Sequence, residues 1–286
     1  MKILVTGATG QLGGKIVEFL ASKVATTDII AGTTNATSEK AKTLTEQGIE
    51  VRTTDFENKA SLVEAFQGVD KVFIVSTFAD EEASARQQKN IVEAAKEAEV
   101  KQIVYSSAPH ADVSEFFLAG PHRVRENIIK ESGIPYVFVR NNWYVENELG
   151  TVQASLTGAP WVTSAGEGKV GWVLRADLAE ATANVLASDG HDNKVYELGG
   201  ENLTQEDFVA VLNEVTGKEI PVMHVEDAAY GEMLKGNVPD QLLNMLVMTQ
   251  MSIREGKLEN DSNDLELLLG RKPATVKESL QLLLKN

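Results

Sequence analysis

The 286-residue chain is long enough to bury a large core, as one big domain or as a large and a small one. Its net charge of −15 argues against a nucleic-acid or anionic-membrane surface, since both require clustered Lys and Arg. The absence of cysteine excludes disulfides, thiolate catalysis and cysteine-bound metals, and we predict no metal site. With neither a secretory leader pattern nor an apolar run near the ~18 residues of a membrane span, a cytoplasmic protein is expected.

The chain opens with a short apolar strand, Ile3 to Val5, followed by a glycine-rich turn and an amphipathic helix. Gly7 permits a tight turn, Gly10 lets the backbone approach a pyrophosphate, and Gly13 lets the helix pack close to the strand. Amides at the helix start supply donors and a partial positive charge. This junction predicts a dinucleotide site, against the alternative of a turn that binds nothing. Its predicted contacts are Gly7, Thr9, Gly10, Gln11, Leu12 and Gly13.

Strands and helices then alternate as far as residue 140. Strands are predicted at 28–32, 49–52, 72–75, 103–105 and 136–139, and helices at 38–47, 58–66, 82–98 and 123–131. The strands are continuously apolar, which is typical of a parallel sheet covered on both faces. We therefore predict an α/β fold with a Rossmann-type, doubly wound parallel sheet, in which ligands lie beyond the carboxyl ends of the strands.

The alternation of strands and helices ends after Arg140, and a glycine-rich segment with two tryptophans spans about 150–172. A helix at 176–187 and a strand at 194–198 are expected to return to the main sheet, and the rest is mostly helical. We predict an NAD(P)-binding domain over 1–145 together with 174–200. A smaller, mostly helical substrate-binding lobe is predicted over 146–173 and 201–286.

Several of these segments resemble the atypical, NmrA-like branch of the short-chain dehydrogenase/reductase superfamily. Within it, the chain is similar to bacterial type-2 NAD(P)H:quinone oxidoreductases and triphenylmethane reductases. The matching segments include Thr6 to Gly13, Tyr105 to Ser107, His122, Arg140 to Tyr144 and Arg175 to Asp177.

The resemblance implies cofactor contacts after the next strands, although each residue also fits loop closure or helix capping. An acid after the second strand favours NAD and an Arg favours NADP. This chain has no acid there, and Thr34 stands where the family has Arg. NADP is therefore expected, with NAD possible, and its 2′-phosphate would rely on hydrogen bonds and on Lys40. The predicted contacts are Thr33, Thr34 and Asn35, then Asp55 and Phe56, then Ser76, Thr77 and Phe78, and finally Ser106 and Ser107 near the nicotinamide.

One feature of ordinary superfamily members is missing, because no Tyr in the chain is followed by Lys four residues later. Such a pair exchanges the proton in alcohol oxidation. A hydride acceptor whose reduction needs little general acid catalysis, such as a quinone or a cationic conjugated dye, fits this chain better than an alcohol or ketone substrate.

His122 is the candidate catalytic residue, since the resembling family has His at the start of the same helix. An imidazole that titrates near neutrality would bind the nicotinamide ribose, orient the acceptor or donate a proton. The alternative is a solvent-facing residue at a helix start.

Asn141, Trp143 and Tyr144 leave the sixth strand and are predicted to line the acceptor pocket, although Trp143 also fits a packing role between lobes. Arg175 and Asp177 are expected to pair with each other.

Two functions follow from these observations. The first is an NAD(P)H-dependent oxidoreductase that transfers hydride directly to a quinone-like or conjugated small molecule, as a monomer or homodimer. The alternative is a non-catalytic NmrA-like redox sensor that binds the dinucleotide and regulates a partner. A nucleotide-sugar epimerase is disfavoured because its chemistry needs the missing Tyr base.

Overall fold

A parallel sheet forms the centre of the computed structural model, which describes residues 1–77, 81–236 and 238–285. In chain order, the strands are β1 (Ile3–Val5), β2 (Ile29–Thr33), β3 (Glu50–Thr53), β4 (Lys71–Ile74), β5 (Gln102–Ser107), β6 (Tyr136–Asn141), β7 (Trp161–Thr163), β8 (Val170–Gly171), β9 (Lys194–Leu198), β10 (Asn202–Leu203) and β11 (Val222–His224). The helices are α1 (Gln11–Ala21), α2 (Glu39–Glu46), α3 (Lys59–Phe66), α4 (Glu81–Glu97), α5 (Ala119–Glu131), α6 (Leu149–Leu156), α7 (Arg175–Ala187), α8 (Gln205–Thr216), α9 (Asp227–Leu234), α10 (Asp240–Arg254), α11 (Asp264–Leu269) and α12 (Val276–Leu283).

The central sheet has seven strands in the order β3-β2-β1-β4-β5-β6-β9, and all of its neighbours are parallel. The strand order reverses beside β1, which pairs with β2 on one side and with β4 on the other. The carboxyl end of β1 is therefore a topological switch point, where open α/β sheets bind their ligands.

Both faces of the sheet are covered by helices. Ile3 and Val5 pack into the apolar layer formed with α1 and α7, whereas Leu4 packs into the layer formed with α3, α4 and α5. This alternation is what a strand buried on both faces requires. The predicted doubly wound parallel sheet is confirmed.

The predicted elements of this part are all present, with small shifts at their ends. The largest shift concerns α5, which begins at Ala119 rather than at residue 123. Pro121 lies in the first turn of this helix, where its missing N–H has no intrahelical acceptor to lose. His122 therefore lies inside the first turn instead of at the helix start.

The remaining segments build a second apolar cluster around Trp161, Trp172 and Phe208. Strand β7 pairs with β11, and β8 pairs with β10, so two short sheets join the helices there. Helix α11 instead packs its buried leucines, Leu265 and Leu269, into the layer of α1 and α7. In the described part of the chain, no helix has the length and apolar character needed to span a membrane.

Candidate active site

At two glycines of the junction between β1 and α1 there is no room for a side chain. Gly7 has φ of 62°, and a Cβ there would lie 2.6 Å from Cγ1 of Val75. A Cβ on Gly13 would lie 2.3 Å from the carbonyl oxygen of Gly7, far inside van der Waals contact. Helix α1 can approach the turn this closely only because both residues lack a side chain.

The first turn of α1 offers unpaired main-chain donors. Gly10 is the N-cap, no side chain caps the helix, and no acid lies in its first turn. Within the described residues, the amides of Gln11 and Leu12 have no acceptor. The helix dipole adds a partial positive charge, so the cradle fits the pyrophosphate of a dinucleotide.

Polar groups without a carboxylate follow β2. The hydroxyl of the buried Thr33 lies 3.0 Å from the hydroxyl of Thr9, and the Lys40 ammonium donates to the Thr9 carbonyl at 3.2 Å. The side chains of Thr34 and Asn35 remain exposed. Lys40 is thus held beside the glycine turn, where it adds a positive charge.

The residues after β3 and β4 make hydrogen bonds and packing contacts within the protein. Asp55 accepts the backbone amide of Glu57 at 2.9 Å, and Phe56 packs against the layer of α3 and α4. Ser76 donates its backbone amide to Ser106 Oγ at 2.8 Å. The Thr77 hydroxyl donates to Gln87 at 2.9 Å. Phe78 lies outside the described residues, and the cofactor contacts of this group stay predictions.

A cleft of about 180 Å³ opens beyond the carboxyl ends of β4, β5 and β6. The structure brings six of the predicted site residues together in its lining, from four separate segments of the chain. They are Ser76, Ser107, His122, Asn141, Trp143 and Tyr144.

The Asn141 amide is incompletely bonded at this cleft. Its Oδ1 is buried and has no hydrogen-bond partner among the described residues, while its Nδ2 donates to the Tyr144 hydroxyl at 3.4 Å. A buried carbonyl oxygen without a partner costs free energy unless a donor arrives. The carboxamide N–H of a nicotinamide is a donor of the required kind, so the residues present fit the cofactor at this end as well.

His122 is paired with a tyrosine from the neighbouring strand. The Tyr105 hydroxyl lies 2.8 Å from His122 Nδ1. Burial, reinforced by the positive charge of Arg125, lowers the pKa of His122 to about 3. Burial also raises the pKa of Tyr105, which keeps its proton. The neutral imidazole carries a single N–H proton; when the Tyr105 hydroxyl donates to Nδ1, that proton is on Nε2. The expectation of an imidazole that titrates near neutrality is wrong.

A buried ion cluster supports the floor of the cleft. Arg140 makes a bidentate pair with Glu126, at 2.9 Å from Nε and 2.7 Å from Nη2. It also donates to Glu197 at 2.9 Å, and Ser107 donates its hydroxyl to Glu126 at 2.7 Å. Burial opposes the charge of Arg140, but the hydrogen bonds to the two glutamates outweigh it and raise the pKa of the guanidinium.

The expected pairing of Arg175 with Asp177 is wrong. Residues two apart on a helix do not face each other. The backbone amide of Arg175 donates to Glu146 at 3.1 Å, and its guanidinium lies over the Tyr144 ring, 5.1 Å from the centroid. Asp177 instead pairs with Arg271 at 2.7 Å.

Some residues in the cleft lining or next to it carried no sequence assignment. Glu126 and Arg125 lie one turn after His122 on α5, and their helical spacing from it was the available signal. Phe116 and Leu258 also line the cleft. Leu258 accepts the side-chain amide of Asn142 at 3.1 Å from 116 residues away, a contact with no local signature.

Comparison with known proteins covers nearly the full length of the chain. The model of the NmrA-like family matches residues 1–280. The chain belongs to the NmrA-like family. Among curated relatives, quinone oxidoreductase 2 of Escherichia coli is 39% identical over 282 residues, which is 97% of each chain. An NAD(P)H azoreductase of Xenophilus azovorans is 30% identical, covering 78% of this chain and 76% of the relative.

Two solved structures superpose closely on the chain. The NADPH complex of an NADPH-dependent quinone oxidoreductase from Escherichia coli matches with a TM-score of 0.93 and 38% identity, covering 99% of both chains. The NADP(H) complex of the Citrobacter sp. triphenylmethane reductase matches with a TM-score of 0.92 and 36% identity, covering 98% and 99%. Both the predicted family and the predicted fold are therefore confirmed.

Proposed function

We propose that the chain is an NAD(P)H-dependent oxidoreductase that transfers hydride directly to a flat, conjugated acceptor such as a quinone, bound in the cleft beyond β4–β6. The observation that carries the proposal is that this cleft and the glycine turn share one edge of the sheet. That edge offers main-chain donors for a pyrophosphate and, for a nicotinamide, the Asn141 Oδ1, which has no partner in the part of the chain that the structure describes.

The relatives support the enzyme class. They are named for a quinone, for an azo compound and for triphenylmethane dyes, all of which are conjugated acceptors. Two of the matching structures hold NADPH or NADP(H). These comparisons confirm an oxidoreductase that uses NADP, and they do not favour the sensor alternative.

The chain's own residues bind the reactants and hold protons in place. The amides of Gln11 and Leu12 bind the phosphates, and Asn141 Oδ1 accepts the carboxamide. Bound NADPH supplies the hydride. His122 presents Nε2–H to the cleft as a fixed donor for an acceptor oxygen, because its other nitrogen is held by Tyr105. Because its pKa is lowered to about 3, His122 is neutral at pH 7 and holds no second proton to give to the acceptor.

NADP specificity rests on the segment after β2. Thr34, Asn35 and Lys40 offer two hydrogen-bonding side chains and one cation to a 2′-phosphate, and no carboxylate follows the strand to bind a free ribose diol. Lys40 supplies the positive charge that the Arg at position 34 supplies in the family.

The test is oxidation of NADPH and NADH, followed at 340 nm, with a panel of quinones, azo dyes and triphenylmethane dyes. We expect turnover of at least one acceptor class, faster with NADPH. Calorimetry with oxidised and reduced cofactor runs in parallel. Binding of both forms without turnover across the panel contradicts the oxidoreductase and favours the sensor, whereas no binding of either contradicts both.

We further propose that the protein works in the cytoplasm as a monomer or a homodimer. Cell fractionation and light scattering at several protein concentrations are the corresponding measurements. The absence of cysteine and the charge of −15 support a location that requires no disulfides and no membrane attachment.

A further inference from the structure

One carboxylate joins the wall of the cleft to the core of the second lobe. The indole N–H of Trp143 donates to Glu148 Oε1 at 3.0 Å, and the indole N–H of Trp172 donates to the same oxygen at 3.1 Å. Trp143 lines the cleft, whereas Trp172 does not. A single oxygen atom thus links an aromatic ring at the binding site to one that is away from it.

The two linked rings have different surroundings. Trp172 is 1% exposed and packs on Phe208 with ring centroids 4.8 Å apart, and Phe208 in turn packs on Trp161 at 5.3 Å. Trp143 is only partly buried, and its aromatic neighbour is Phe116, edge-on at 6.4 Å. Packing therefore fixes the Trp172 ring tightly, while the Trp143 ring depends more on its hydrogen bond for its orientation.

The surroundings of Glu148 disfavour the charged form of its carboxyl group. Burial raises the pKa of Glu148, and the two indole hydrogen bonds only partly offset that effect. Among the described residues, Glu148 forms no ion pair with Lys or Arg. An apolar side chain would fill this space at lower desolvation cost, but it would leave both indole N–H groups without an acceptor.

We propose that Glu148 is a positioning residue for acceptor binding, which holds the ring of Trp143 in the plane that a flat acceptor stacks on. The inference rests on the proposed function, since it assigns Trp143 as the stacking wall of the acceptor subsite. Glu148 acts through the indole and does not touch the acceptor.

Two substitutions separate the oxygen from the charge. Glu148→Ala removes the carboxylate oxygen that accepts the two indole hydrogen bonds. Glu148→Gln keeps an amide oxygen that accepts both indoles. For Glu148→Ala we expect the KM of the acceptor to rise about tenfold, with the KM of NADPH unchanged and kcat within about threefold. Glu148→Gln is expected to restore the acceptor KM to within about threefold of the parent value.

The matched control is Gln205→Ala. Gln205 Oε1 accepts the indole N–H of Trp161 at 2.9 Å, so this change also deprives a buried tryptophan of its acceptor, but Trp161 lies outside the cleft lining. A general loss of packing in the second lobe would raise the acceptor KM in both alanine variants, and that result would overturn the proposal. Failure of Glu148→Gln to rescue would overturn it too.

A spectroscopic readout is independent of turnover. Acrylamide quenching of tryptophan emission is expected to increase in Glu148→Ala, because a released Trp143 ring moves more freely in the cleft, and to stay unchanged in Gln205→Ala and Glu148→Gln. If the parent protein reduces no acceptor, the proposed function fails while quenching still decides the positioning role. Should Glu148→Ala not fold, Glu148→Met removes the same oxygen at a similar side-chain size and carries the same expected KM change.

Discussion

The two halves of the binding edge work by different means. On the cofactor side, beyond β1 and β2, the binding groups are backbone amides, glycines and small hydroxyls, with Lys40 as the cation held against the turn. On the acceptor side, beyond β5 and β6, the cleft rests on buried side chains, among them the ion cluster of Arg140 with Glu126. The cofactor side depends on backbone conformation, and the acceptor side depends on side chains that segments distant in sequence bring together.

The largest expected effect lies on the acceptor side. Arg140→Met leaves Glu126 buried without its bidentate partner, and breaking a buried pair in this way costs about 3–5 kcal/mol of unfolding free energy. Urea denaturation measures the loss. The control is Arg254→Met, whose bidentate pair with Asp227 is 40% exposed on the Arg side and is expected to contribute under about 1 kcal/mol. Equal losses in the two variants would show that the acceptor side does not depend on its buried charges.

The next largest effect tests the cofactor side. Gly13→Ala places a methyl group 2.3 Å from the Gly7 carbonyl oxygen and forces α1 away from the turn. We expect NADPH affinity to fall at least about 100-fold, near 2.7 kcal/mol, when cofactor fluorescence is titrated. Gly150→Ala is the control, since a Cβ there meets nothing within 4 Å. Unchanged affinity in Gly13→Ala would mean that close approach of helix and turn is not what binds the cofactor.

This contrast also explains what the sequence could reveal. Gly7, Gly10 and Gly13 follow an apolar strand in one short segment, so their roles can be inferred from neighbours in the chain. The same holds for the alternating strands and helices, whose signals are local. The residues that reach the cleft were partly predictable, because Asn141 is the last residue of β6 and Trp143 and Tyr144 follow that strand.

What the sequence could not reveal is how side chains combine. The neutral state of His122 depends on burial, on Arg125 and on Tyr105, which lies 17 residues earlier on a different element. The acceptor oxygen of Glu148 serves indoles that lie 5 and 24 residues away. Neither arrangement has a periodicity or a motif, since each arises only after strands and lobes have packed.

A smaller effect concerns the cation beside the turn. Lys40→Gln removes the positive charge assigned to the 2′-phosphate, and we expect NADPH affinity to fall about tenfold while NADH affinity stays unchanged. Titration with 2′,5′-ADP and with 5′-AMP isolates the phosphate from the rest of the cofactor. Lys42→Gln is the matched control, because Lys42 pairs with Glu39 at 2.6 Å on the exposed side of the same helix. An equal loss for 5′-AMP and 2′,5′-ADP would remove Lys40 from phosphate recognition.

The smallest effect concerns the protonation state of His122. Its pKa is about 3 in the folded protein, below the ordinary value of 6.5 that the unfolded chain would have. Above pH 6.5 both states are neutral and the residue contributes no pH dependence. Below pH 6.5 the unfolded chain takes up a proton that the folded protein refuses, so acid lowers stability.

The variant His122→Asn removes this proton uptake. We expect the stability of the parent to fall, relative to the variant, by about 1 kcal/mol between pH 6 and pH 5, measured by urea denaturation at each pH. Contributions from groups that the substitution does not touch cancel in the difference. The kcat of the parent is expected to stay flat over the same interval, because a neutral imidazole that only donates from Nε2 has no proton to gain there. Parallel stability curves, or a kcat that follows a pKa near 6.5, would show that His122 acts as an acid after all.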